Sequence, residues 1–367
     1  MTERWKAPNR RQFIWPAAGV LLGVLGAINP WYQPPVTVEF GIGVWFVDMV
    51  LALVLSVNPL AARLGTLVIG LSLAVPCFVP GMPLSRGLLM CCMTFPLLVI
   101  ALPLLGPPKA SYRERISYLF TWLGTRAVTR RAWSFDLKAL VHFLLATIVL
   151  GAAMAAVKAT PATSWWLLAR WLAGGIMIFA LAEMVTAGHD FLTALMGLSA
   201  PALMRSPTLS TSISEFWTKR WNPATSALVF RTFFFTPLAR RGATVALWAA
   251  FVASAVAHVL LPYMAMGKLG ISLMCGAFFL VQPLLIAAER AMNVRRWPTA
   301  AARVWALSAL AITSPLFVEP LLQLLEPSWG AAEGMVMPTL VIVAVVIGVN
   351  AFCSLGSLAT TMNPVQR

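Results

Sequence analysis

Residues 243–264 read ATVALWAAFVASAVAHVLLPYM, an apolar run that contains no acidic residue, lysine or arginine. About 20 such residues in an α-helix cover the roughly 30 Å of hydrocarbon in a bilayer. Comparable runs recur along the chain, and lipid leaves backbone groups no hydrogen-bond partner outside a helix or a closed barrel. The runs lack the alternating polarity of barrel strands. The sequence therefore predicts an all-α, polytopic transmembrane helical bundle.

The composition agrees with this prediction. Hydrophobic residues make up 60% of the 367 residues and charged residues 11%, against about 45–50% and about 25% in soluble domains. The net charge of +15 comes from Lys and Arg residues that lie between the apolar runs. We interpret them as orientation signals and contacts with membrane lipids, so no nucleic-acid partner is expected. The five cysteines have no CxxC spacing, which favours packing residues over disulfides or metal ligands.

We predict about ten spans in one integral membrane domain, residues 1–367. The first run is interpreted as a retained helix, because no small-residue cleavage site follows it. The predicted spans are residues 13–29, 37–57, 61–80, 85–105, 139–157, 164–187, 243–264, 269–288, 300–322 and 336–357.

Basic residues predict the orientation of these spans. Most of them precede the first span or lie in residues 109–138, 205–241 and 290–296, whereas the loops 30–36 and 323–335 contain none. The positive-inside rule then places the basic segments and both termini in the cytoplasm. The compact length and short loops favour a bacterial inner membrane, with the endoplasmic reticulum as the alternative.

His258 is the one histidine in the middle of a predicted span. Polar groups at that depth are costly and tend to mark a cavity, a relay or a site. A histidine hydrogen-bonded between two helices is the alternative interpretation. His142 and the pair His189-Asp190 lie near span ends, where a headgroup contact or a local hydrogen bond explains them.

A second group of polar residues lies in residues 188–242, which are neither clearly spanning nor clearly soluble. Within it, residues 212–222 read SISEFWTKRWN. An amphipathic stretch at headgroup depth would explain the tryptophans and the basic residues. It does not explain the polar Asn222 that closes the stretch ahead of a proline.

This stretch resembles the S-x-x-E-F-W-x-[RK]-R-W-[HN] motif of the membrane-bound O-acyltransferase (MBOAT) family, in particular its wax synthase branch. The likeness continues with LVFR at residues 228–231 and PL at residues 237–238. Ser254 and His258 then match the S-G-L-x-H pattern of that branch. Ala255 stands where the family has glycine, and Val259 stands where many relatives carry an acidic residue. The resemblance covers roughly residues 192–260.

The resemblance implies an acyl-CoA-dependent O-acyltransferase whose motif region lies within residues 188–260. His258 would act as general base on the hydroxyl of a lipid or other small-molecule acceptor, a task that suits the pKa of histidine. Asn222 would contact the thioester or the developing oxyanion. Acyl-CoA is the implied co-substrate, with no further cofactor and no metal. The implied substrate-binding residues are Trp217, Lys219, Arg220, Trp221, Arg231 and Ser254.

The depth of His258 constrains how these two residues can meet. In a helix that begins near Gly242, His258 lies about 16 residues, or roughly 24 Å, from the start. Either the segment 213–241 is sunk into the bundle, or the helix is tilted or begins later.

Three other classes of membrane protein remain as alternatives. A polytopic transporter with a buried histidine is the main one, although the sequence has no repeated halves. A prenyltransferase would need clustered aspartates for Mg²⁺, whereas Asp48, Asp136 and Asp190 stand alone. A structural membrane subunit is the third. The sequence leaves open the acceptor, the acyl chain length and the oligomeric state.

Overall fold

The computed structural model describes residues 129–163, 165–195, 197–199, 202–223, 226 and 238–326. The predicted spans before residue 129 and the one at 336–357 lie outside this part of the chain. The described residues fall into two compact units, which are residues 129–204 with Glu326, and residues 205–325.

Four of the described helices are long and apolar enough to cross a membrane. They confirm the spans predicted at 139–157, 164–187, 243–264 and 269–288, and they identify the chain as an integral membrane protein. These helices are α1 (Leu137–Ala159), α2 (Trp166–Leu195), α4 (Ala243–Met266) and α5 (Leu269–Ala291).

The unit formed by residues 129–204 is built on α1 and α2, which pack together as a hairpin. Asp136 caps α1 by accepting a hydrogen bond from the amide of Ala139 at 3.0 Å. A two-residue strand pair, β1 (Thr129–Arg130) with β2 (Leu198–Ser199), joins the ends of the hairpin. Many Leu, Ile and Val side chains on both helices are exposed, as expected of surfaces that lipid covers.

The second helix of this hairpin is longer than predicted. It continues past residue 187 to Leu195, so His189 and Asp190 lie inside α2 rather than at its end. Nδ1 of His189 is 3.2 Å from a carboxylate oxygen of Asp190. The pair is a local contact on one helix, in keeping with the local role predicted for it.

In the unit formed by residues 205–325, α4 and α5 are joined by a tight turn at Gly267. This glycine has φ +70° and its amide donates to the carbonyl of Tyr263 at 2.7 Å, which is a helix ending that favours glycine. The two helices approach closely at Gly276, where an added Cβ would lie 2.5 Å from Cγ2 of Val259. Val259 is therefore a packing residue between α4 and α5.

The span predicted at 300–322 is bent rather than straight. It consists of α6 (Thr299–Thr313) and α7 (Pro315–Leu325), which meet at an angle of 47°. Pro315 has no amide hydrogen to continue the first helix, and α7 instead begins with the amides of Phe317 and Val318 donating to the carbonyl of Ser314 at 2.9 and 2.8 Å. Together the two helices are long and apolar enough for the predicted span, which contains a break that the sequence analysis did not predict.

Candidate active site

The motif at residues 212–222 forms a capped turn, which we call the motif turn. Ser212 precedes a single helical turn, α3 (Ile213–Glu215), and its hydroxyl accepts from the amide of Glu215 at 2.9 Å. The carboxylate of Glu215 reaches back and accepts from the amide and hydroxyl of Thr211 at 2.9 and 2.8 Å. The Ser and Glu of the motif thus satisfy the free donors at the start of a helix, in a variant of the capping box.

Arg220 closes the same turn from its other end. Its Nε donates to Glu215 at 2.8 Å, and a terminal nitrogen donates to the carbonyls of Arg205 and Ser206 at 3.1 and 3.2 Å. Burial acts to raise the pKa of Glu215, but the hydrogen bonds from Thr211 and Arg220 and the charge of Arg220 outweigh it, so the pKa is lowered. The Glu215 carboxylate is therefore ionised at neutral pH. The Arg220 guanidinium therefore donates its hydrogen bonds to other groups of the protein.

Between these caps the backbone widens into a π-helical turn, Phe216–Arg220. Such turns are rare and occur frequently at functional sites. Trp221 closes it by donating its amide to the carbonyl of Phe216 at 2.8 Å. Asn222 follows with φ +41°, a left-handed conformation that asparagine and histidine adopt more readily than most residues. The backbone at this position therefore favours asparagine over most other residues.

Two polar side chains of α5 hold the motif turn in place. The buried Gln282 accepts from the indole nitrogen of Trp217 at 3.0 Å. One carboxylate oxygen of the buried Glu289 accepts from the amide of Ile213 at 2.5 Å, and the other is 3.5 Å from the amide of Ser214. Glu289 also accepts from the indole of Trp305 at 3.2 Å. The motif turn is thus sunk against α5, one of the options that the depth of His258 required.

Sequence reasoning missed both of these α5 residues. Gln282 stands inside the apolar run 269–288, and Glu289 follows it directly. Polar residues within a span are rare and tend to face the interior of the bundle. That signal was available from the sequence, but nothing in the sequence paired either residue with the motif.

His258 is held in one orientation by its own helix. Its Nδ1 lies 2.8 Å from the carbonyl oxygen of Ser254, one turn earlier, and 3.4 Å from the Ser254 hydroxyl. A carbonyl oxygen can only accept, so the short contact requires a proton on Nδ1. The neutral ring then carries an unshared electron pair on Nε2. This arrangement can accept a proton at Nε2.

Aromatic rings connect His258 to the motif turn. The ring of Phe279 lies over the imidazole with centroids 4.0 Å apart, and Trp217 packs against the same Phe279 at 5.6 Å. Phe216 contacts Trp217 at 5.0 Å and stacks on Trp221 at 5.4 Å. The motif turn and the intramembrane histidine therefore meet on one phenylalanine of α5.

Prolines interrupt both helices near this contact. Pro262 in α4 stands four residues after His258, and Pro283 in α5 stands four residues after Phe279. Neither proline can donate the amide hydrogen that the carbonyl four residues earlier would receive in a regular helix. Both helices lose one regular hydrogen bond next to the His258–Phe279 pair.

The predicted site residues have different surroundings. Trp217 and His258 pack against Phe279, and Ser254 contacts His258. Lys219 is exposed. Asn222 is half-buried at the end of the motif turn, and Trp221 stacks within that turn. Arg231 lies outside the described residues. The catalytic and substrate-binding roles of these residues stay predictions.

Metal ions in proteins are held by groups of ligand side chains that lie close together. Among the described residues, no three His, Cys, Asp or Glu side chains are grouped closely enough to hold an ion.

Comparison with known proteins connects this geometry to a family. Residues 200–281, which contain the motif turn, His258 and Phe279, match the Membrane bound O-acyl transferase family. The chain is 28% identical over 149 residues to a protein of Arabidopsis thaliana called "Probable long-chain-alcohol O-fatty-acyltransferase 7". That match covers 35% of this chain and 42% of the relative, so the chain spans less than half of the relative's length. The predicted resemblance to the MBOAT family and its wax synthase branch is confirmed.

Replacing Glu289 by glutamine tests whether α5 holds the motif turn. The amide keeps the shape but replaces one accepting oxygen with a donating nitrogen, so it cannot accept from the amides of both Ile213 and Ser214. A buried donor left without a partner costs about 1–3 kcal/mol. We expect Glu289→Gln to lower the thermal midpoint of the purified protein by several degrees. Glu183→Gln on α2 is the control, since Glu183 lies in the other unit and pairs with the half-exposed His142. Equal midpoints for the two variants would contradict the anchoring role.

Proposed function

We propose that this protein is an acyl-CoA-dependent O-acyltransferase that transfers an acyl group to a hydroxyl of a lipid or other small-molecule acceptor. The observation that carries the proposal is the bond from Nδ1 of His258 to the Ser254 carbonyl, inside the residues matched to the family. This hydrogen bond leaves Nε2 of His258 as the basic nitrogen, in an apolar and aromatic environment. The family and the name of the plant relative support acyl transfer to an alcohol.

The reaction needs a base at a defined atom. Nε2 of His258 takes the proton of the acceptor hydroxyl as its oxygen attacks the thioester carbonyl carbon. The tetrahedral intermediate then collapses, the carbon–sulfur bond breaks, and the sulfur leaves with the proton that Nε2 returns. The products are an ester and free CoA, and the imidazole regains its starting tautomer. No enzyme nucleophile is required.

The rings around His258 suit this chemistry. Phe279 covers one face of the imidazole, and Phe317 lies 5.9 Å from it. Apolar walls keep water away from the base, which disfavours hydrolysis of the thioester relative to transfer to the alcohol. Ser254 is buried beneath the ring, so its carbonyl holds the tautomer without competition from water.

We assign Asn222 the role of stabilising the oxyanion. A neutral amide can donate to the negative charge that develops on the thioester oxygen without changing its own ionisation. The left-handed backbone at Asn222 and the closed π-helical turn before it restrict where this side chain can point. Such restriction is what an oxyanion donor needs, because a preorganised donor does not have to reorient during the reaction.

The acyl-CoA donor is supported by the basic residues of the unit formed by residues 205–325. Exposed arginines occupy the turn before α4, the last turn of α5 and the turn after α5. Lys219 is exposed on the motif turn. These cations attract the phosphates of CoA toward the cytoplasmic ends of the helices. The exposed arginines are Arg240, Arg241, Arg290, Arg295 and Arg296.

Substitution of His258 tests the proposal. With palmitoyl-CoA and a long-chain alcohol, we expect wild type to form ester and His258→Ala to lose about 10²–10⁴ in rate, as is usual when a general base is removed. Binding of palmitoyl-CoA is retained, because the contacts to CoA do not involve the imidazole. His142→Ala is the matched control, because His142 is half exposed and pairs with Glu183 on α2. A His258→Ala enzyme that binds palmitoyl-CoA and turns over within a few-fold of wild type would contradict the catalytic role.

Substitution of Asn222 tests the oxyanion donor separately. Asn222→Gly removes the side-chain amide, and glycine adopts the left-handed backbone conformation without strain. We expect the rate to fall about a hundredfold or more, which is the usual loss when one oxyanion donor is removed. Asn293→Gly is the control, since Asn293 has a similar φ of +54° in an exposed turn. An unchanged rate for Asn222→Gly would leave Asn222 as a turn residue alone.

A further inference from the structure

The bent span brings a residue from outside the family match to the imidazole. Phe317 stands near the start of α7, directly after the break at Ser314, and lies beyond the matched residues 200–281. Its amide donates to the carbonyl of Ser314 at 2.9 Å, which fixes the backbone at the bend. Because α7 leaves α6 at 47°, the direction of this residue depends on the break.

Phe317 is held among other rings. Its centroid lies 5.3 Å from that of Phe278 and 5.9 Å from those of Phe279 and His258. Phe278 and Phe279 are buried on α5, and close-packed rings move little because any displacement must disturb their neighbours. Phe317 therefore acts as a wall beside the imidazole, set at 58° to its plane.

We propose that Phe317 is a specificity-determining residue that limits substitution at the carbon bearing the acceptor hydroxyl. This inference rests on the proposed function. A hydroxyl that gives its proton to Nε2 must come within about 3 Å of that nitrogen. The carbon bearing the hydroxyl and its first substituents then share the space next to the imidazole with Phe279 and Phe317. A primary alcohol places one carbon chain in the space next to the imidazole, whereas a secondary alcohol places two. The second chain would meet Phe317.

Two alcohols separate these cases. The assay uses full-length protein, palmitoyl-CoA, a linear primary alcohol, and the secondary isomer with its hydroxyl on the adjacent carbon. We expect wild type to favour the primary alcohol. Phe317→Ala should raise the ratio of kcat/KM for the secondary over the primary alcohol by about tenfold or more, the size of effect that one carbon group has in an apolar pocket.

A matched control lies on the same bent span. Ile312 on α6 is exposed, so Ile312→Ala removes apolar bulk without touching the ring cluster and should leave the ratio unchanged. If Phe317→Ala does not purify as a folded protein, Phe317→Leu keeps an apolar side chain there and is judged by the same ratio.

The outcomes distinguish this inference from the function on which it rests. Wild type that transfers palmitoyl groups to neither alcohol overturns a long-chain alcohol as the acceptor, and the role of Phe317 with it. Wild type that transfers acyl groups, together with a Phe317 variant whose ratio stays within about twofold of wild type, overturns the role of Phe317 alone. An equal rise in the ratio for Ile312→Ala would also overturn it, because the change would then follow from loosening of the bent span.

Discussion

The hydrogen bond between Nδ1 of His258 and the carbonyl of Ser254 is the constraint on which the candidate site depends. A histidine in an apolar span is costly unless its polar atoms are satisfied. This bond satisfies one nitrogen within the same helix and thereby determines which nitrogen is available to a substrate. The packing of α4 on α5 at Gly276 and the stack on Phe279 then hold the ring that the bond has oriented.

The motif turn contacts the same Phe279 through Trp217. Its Ser, Glu and Arg make the caps and bridges that keep the turn closed, and its first tryptophan reaches Gln282 on α5. These four motif residues therefore have a structural role in this chain. Asn222 stands where the turn ends, with a backbone conformation that suits few residues. Trp217 contacts Phe279, the α5 residue whose ring packs against His258.

The sequence alone predicted the described membrane helices and singled out the motif and His258 as candidates, because apolar length and isolated polarity are local signals. It predicted the end of α2 too early, since His189 and Asp190 interrupt the apolar run although the helix continues. The break at Pro315 was hidden because the apolar run passes through it. Phe279 and Phe317 could not be singled out, since nothing local distinguishes phenylalanines in apolar runs and their roles come from contacts distant in sequence.

The tautomer of His258 is the most direct test of this account. Ring-nitrogen chemical shifts from isotope-labelled histidine in the purified protein report which nitrogen carries the proton, and comparison with His258→Ala identifies the relevant signals. If Nε2 is the base, Nδ1 is protonated and Nε2 is unprotonated at neutral pH, and the Nε2 signal moves when a long-chain alcohol is added. A His258 ring protonated on Nε2 and bare on Nδ1 would contradict it, because the nitrogen assigned as the base could not then accept a proton.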